Sequence, residues 1–196
     1  MDHLTIGCAC LLALVFAVSA ASKIRGRAAL DEFAYATRTL LTASAQALRG
    51  AERRRPGERV VRFVAVGVAV AEAAAVPLVA VPATARAGFG LAAVLLACFS
   101  AAIALTLRRG VSTACRCFGA ASAPLSRRHL VRNALLLAVA VAGLVTADGS
   151  LDGVHPAGAT VAAVTGAVAA VLLIRIDDLA DLFAPAASTP TRRRRS

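Results

Sequence analysis

The run Cys115-Arg116-Cys117-Phe118-Gly119 carries the most reactive chemistry in the chain. Two cysteines one residue apart are either a redox dithiol or half of a metal site. Only a thiolate attacks a disulfide, and the Arg116 cation between the two sulfurs favours that form. A disulfide closed across so small a ring departs from relaxed geometry, so it reduces readily and suits turnover better than permanent stapling. Gly119 permits a tight turn or the close approach of a partner backbone, and Phe118 can pack the segment against a bilayer surface. The spacing is short enough to leave a second reading open, two inert thiols in a loop. Structural zinc wants four Cys or His ligands. His129 is the one nearby addition, with His3 and His155 expected across the membrane, so a single chain falls short and no metal is assigned.

Other reactive residues lie inside apolar runs. Glu72 falls near the middle of one, where a carboxylate is costly unless it is neutral, paired or facing a polar cavity. It is read as a relay for a proton released when thiols oxidise, or equally as a hydrogen-bonded group holding helices together. Cys98, at comparable depth, is a candidate internal relay thiol, although a lone membrane cysteine is more often a small apolar residue. Cys8 and Cys10 stand two apart on a helix and point to different faces, which disfavours a mutual disulfide. Lys23, at the end of the first apolar run, reads as a snorkelling anchor at the membrane edge.

The elements that must position these groups are membrane spans. Hydrophobic residues make up 59% of the 196-residue chain, mean hydropathy is +0.74, and the apolar residues come in long runs rather than at amphipathic spacing. A span needs about 20 apolar residues to cross a hydrocarbon core. Five segments qualify: 4–21, 60–81, 88–107, 130–147 and 157–176. The first resembles a signal peptide at Val18-Ser19-Ala20, but its leading residues include Asp2 and His3 and no Lys or Arg, so retention as a span is expected. Aromatic residues are 4% with no Trp, so Ala-, Gly- and Val-rich helices must associate by close backbone approach. The expected fold is all-α, a multi-pass transmembrane helical bundle forming a single domain over residues 1–182. Residues 28–49 mix apolar positions with Asp31, Glu32, Arg38 and Arg49 and fit a helix at the cytoplasmic interface. Residues 108–129 form the cysteine loop, and 183–196 a disordered basic tail.

Cations dominate the connections between spans one and two and between spans three and four, and the C-terminal tail, whereas the loop after span four has Asp148 and Asp152 and no Lys or Arg. The positive-inside rule places the N-terminus outside and the cysteine loop and C-terminus in the cytoplasm, in a cytoplasmic membrane. The net charge of +11 is then explained by topology and anionic headgroups rather than nucleic acid, since no aromatic interleaving or binding motif accompanies it.

Cys115-x-Cys117-Phe118-Gly119, followed by Ser126 and by Arg132-Asn133 at the start of the next span, resembles the signature of the MauE family, redox-associated membrane proteins grouped with DoxX-like proteins. Lys23 and Glu72 also fall where that family tends to place a Lys and a Glu. The resemblance covers roughly residues 1–147. It implies a four-helix core handling thiols and disulfides, here extended by a fifth C-terminal span, with Phe118, Gly119 and Asn133 supporting the site. Its namesake is associated with maturation of the disulfide-rich small subunit of methylamine dehydrogenase, and such a disulfide-containing or quinone-cofactor protein is one substrate the resemblance suggests. That enzyme matures outside the membrane, whereas the charges here place the cysteines inside, so the general thiol chemistry transfers better than the substrate. A thioredoxin-like or other thiol protein is the expected partner, beside the lipid bilayer. No cofactor is identifiable: a quinone is compatible with the chemistry, but no quinone or haem site is readable. A noncatalytic membrane subunit or assembly factor with a structural CxCFG loop is the alternative. Solute transport ranks third, resting on Glu72 alone.

Overall fold

A computed structural model describes residues 2–49, 56–108, 127–147 and 155–175. They form six helices and a short turn: α1 (Asp2–Ile24), α2 (Arg27–Arg49), α3 (Glu58–Ala80), a 3₁₀ turn (Pro82–Thr84), α4 (Ala85–Arg108), α5 (Arg127–Thr146) and α6 (Pro156–Ile174). Five of them, all but α2, are long and apolar enough to cross a membrane. Inside hydrocarbon every backbone polar group must be satisfied within its own segment, which only the helix achieves for isolated apolar runs. The expected all-α multi-pass bundle is therefore observed. Cys115, Arg116, Cys117, Phe118 and Gly119 lie outside the described residues, as does the 183–196 tail.

Helix α1 is central. It packs against α6, α3, α5 and α2, and its buried face runs through Leu12, Val15 and Phe16, each at most 2% exposed. Helices α3, α4 and α5 pack in sequence order around it. The α3–α4 hairpin is closed by two prolines and a threonine. Pro82 has no N–H to offer the carbonyl of Leu78 four residues back, and the Thr84 hydroxyl donates to that oxygen instead, at 3.0 Å. The chain reverses within a few residues, so α3 and α4 lie side by side.

Close approach is set by missing side chains. A Cβ at Gly166 of α6 would collide with the Gly7 carbonyl of α1, so these two helices touch backbone to backbone. Near its start α1 is also tied to the end of α5, the Thr5 hydroxyl donating to that of Thr146 at 2.8 Å.

Helix α2 continues from α1 after a break at Arg25–Gly26 and lies along α3 and α4. Phe33, Ala36, Thr37, Leu40 and Ala43 are buried at helical spacing. Ala36 and Leu40 meet Ile103 of α4 in a small second core, which Leu107 and Leu130 complete. The helix expected over 28–49 is present and amphipathic, and its apolar stripe is occupied by protein.

Candidate functional site

The buried face of α1 is apolar at Cys8, Leu11, Leu12, Val15 and Phe16, then becomes polar at Ser19 and Lys23 without leaving the stripe. Spacings of three and four keep these residues on one side of the helix. The facing stripe of α3 is Val61, Ala65, Ala69, Glu72, Ala75 and Val79. Its alanines bring α1 close, and Glu72 is the one carboxylate in that row.

These rows meet in an enclosed ion pair. Lys23 Nζ lies 2.7 Å from Glu72 Oε2, with the two side chains 2% and 0% exposed. The Lys23 ammonium also donates to Ser19 Oγ at 2.7 Å, and the Ser19 hydroxyl donates to Glu72 Oε2 at 3.1 Å. The Phe33 ring of α2 covers the ammonium, 4.8 Å from Nζ to the ring centroid. One cation thus joins three helices: its own, α3 through the carboxylate and α2 through the ring. Glu72 Oε1 is buried and has no hydrogen-bond partner among the described residues. An acceptor in that state has room in its bonding for a proton or a donor.

The expectation that Lys23 snorkels to the membrane edge is corrected by this geometry. Its side chain runs inward to a carboxylate, because α1 ends beside the midpoint of α3 rather than beside its end. Ser19 was overlooked by the sequence reading, which took Val18-Ser19-Ala20 only as a possible cleavage site. Its spacing of four from Lys23 on the apolar stripe was the available signal.

Asn133 is buried in the second turn of α5, 2% exposed, and its Oδ1 has no hydrogen-bond partner among the described residues. Its helix, α5, follows directly on the segment that holds the cysteines. Arg132 and His129 are buried beside it in sequence. Cys98 is a free thiol exposed on α4, whereas Glu72 faces the interior. Cys8 is buried and Cys10 partly buried, both as free thiols on different faces of α1.

The arrangement can hold or move a proton at a carboxylate shielded from water and balanced by an ammonium. Helix α4, which carries one end of the 109–126 segment, meets α2 at Ile103, and Leu107 of α4 and Leu130 of α5, at the other end of that segment, pack against the same cluster. Phe33, three residues before Ala36 in that contact, reaches the ion pair. The ends of the cysteine segment and the buried charges are therefore joined through a single helix.

No curated protein sequence and no solved structure matches the chain. The family described as methylamine utilisation protein MauE matches residues 1–146, which include the Lys23–Glu72 pair and the whole of α1 to α5 and leave residues 147–196, with α6, outside the match. Three-quarters of the chain being matched, and five apolar helices being in place, this is a multi-pass membrane protein that belongs to the MauE family.

Proposed function

We propose that this MauE-family protein carries out thiol–disulfide exchange through Cys115 and Cys117, with its cysteine loop and C-terminus on the cytoplasmic side. One cysteine, as thiolate, attacks a disulfide of a thioredoxin-like or other thiol partner, and one partner sulfur leaves as thiolate. The second cysteine then displaces the remaining partner sulfur. A Cys115–Cys117 disulfide forms, the partner gains two electrons, and the two cysteine protons end on the partner's sulfurs; the reverse direction balances equally. Arg116 favours the attacking thiolate. Glu72, held by Lys23 and Ser19, lends a proton site while the mixed disulfide stands. A disulfide-containing or quinone-cofactor protein, of the kind methylamine utilisation requires, is the substrate class that family membership suggests.

The observation that supports this reading is the enclosed Lys23–Glu72 pair, linked through Phe33 and α2 to the helices that bear the cysteine segment. Ionisable groups inside a membrane are expensive and mark working sites by default. A structural pin is the competing reading, favoured by the completeness with which Ser19 and Phe33 enclose the ammonium.

The test is trapping in membranes. With a thiol-reactive mass tag, the wild type should show a reversible Cys115–Cys117 bridge, and Cys115→Ser or Cys117→Ser should accumulate a mixed disulfide that reductant releases. No bridge in the wild type and no mixed disulfide in either variant would leave the CxCFG segment with a structural role.

A further inference from the structure

A groove of about 340 Å³ separates α2 from α3 on the side of α2 away from α4. Its floor is apolar: Leu30 and Ala34 from α2, Val61 and Ala65 from α3. Its rim is charged. Arg38 and Glu58 face each other across one end at 3.6 Å and cancel. Arg62 and Asp31, the other two charges on the rim, are both exposed, and among the described residues neither makes an ion pair. A cavity of this size with an apolar base and a few convergent polar groups has the build of a ligand site.

We propose that this groove binds the headgroup of a zwitterionic aminophospholipid, with the phosphate at Arg62 and the primary ammonium at Asp31. The two free charges are of opposite sign and the rim as a whole is neutral, so an anionic headgroup gains at Arg62 what it loses at Asp31 and Glu58. A primary ammonium donates hydrogen bonds to a carboxylate, which a quaternary choline cannot do. The bilayer is the source because the surface continues as lipid-facing wall. Val66 and Val70 follow Arg62 at intervals of four, on the same face of a membrane-spanning helix, and both are exposed. An acyl chain attached to a phosphate at Arg62 would lie along them. The wall of the groove is held in register by Phe33, one turn after Leu30 and next to Ala34, whose ring Lys23 contacts.

The full-length protein, reconstituted in nanodiscs of phosphatidylethanolamine, phosphatidylcholine or phosphatidylglycerol with identical acyl chains, is released and weighed by native mass spectrometry. One phosphatidylethanolamine should be retained per chain, in roughly tenfold preference to either other lipid, a difference of about 1.4 kcal/mol. Arg62→Gln and Asp31→Asn should each remove that preference, and Ala34→Leu, which fills the floor and leaves the rim charges in place, should reduce retention too. Arg59→Gln, exposed and outside the groove, should leave it unchanged. Equal retention of the three lipids, a preference for phosphatidylglycerol, or loss of retention in Arg59→Gln would each overturn the assignment. Because all the rim charges are on the surface, melting temperatures of the Arg62 and Asp31 variants should match the wild type.

Discussion

Lys23 and Glu72 are each untenable alone in the interior of the bundle. Removing one partner of a buried pair strands the other charge at a cost of about 3–5 kcal/mol, while replacing both by neutral groups of similar size is often neutral or stabilising. Lys23→Met and Glu72→Gln should each lower the melting temperature and membrane abundance of the purified protein, and the double variant should restore both. If the pair also serves thiol exchange, the restored double variant still exchanges slowly; full activity there would make the pair a pin and nothing more. Glu72 was legible in the sequence because a carboxylate inside an apolar run stands out against its neighbours. Its partner was not, since reading Lys23 by its distance from the end of its own helix assumes that neighbouring helices end at the same level, and here α1 stops against the middle of α3. The cation–π contact with Phe33 depends on where α2 turns back, which no local pattern encodes.

At the scale of elements, the membrane-crossing helices were found to within a few residues because long apolar runs bounded by charges or prolines admit little else. The α2 segment was visible as an amphipathic helix, but its apolar stripe matches a lipid interface as well as a protein groove, and only the placement of Ile103 and Leu107 decides between them. The packing of α6 was equally hidden. Gly7 and Gly166 look like any other small residues in this composition, yet the Gly7 carbonyl occupies the space that a side chain at Gly166 would need, and Gly7 itself faces the Ala162 carbonyl. Gly166→Leu should therefore force α6 away from α1 and destabilise the fold by about 1–3 kcal/mol, the range for overpacking. Gly67→Leu, on an exposed face of α3 with nothing near its Cβ, should be neutral or slightly stabilising, since Leu favours the helix over Gly. Thermal denaturation in detergent compares the two. A Gly166→Leu protein as stable as Gly67→Leu would mean that α6 is not seated against α1.

For the whole molecule, the uneven distribution of cations is the feature most readable from sequence, and it bears on orientation rather than on fold. In a cysteine-free background, Ser150→Cys, in the connection between α5 and α6, should react with a membrane-impermeant maleimide in intact cells. Ser122→Cys, in the connection between α4 and α5, should react only after permeabilisation. The opposite pattern would place Cys115 and Cys117 outside and change the class of partner proposed for them.

The separation of Lys23 from Glu72 along the chain, 49 residues, has a consequence for biogenesis. At roughly 5–20 residues per second, the ribosome delivers the carboxylate several seconds after the ammonium. Through that interval Lys23 lacks the carboxylate it ends beside, and the least costly place for an ammonium is near water at the membrane surface. The helix can settle to its final depth only when the segment carrying the acid is inserted beside it, so arrival of the second span is what draws the first fully home.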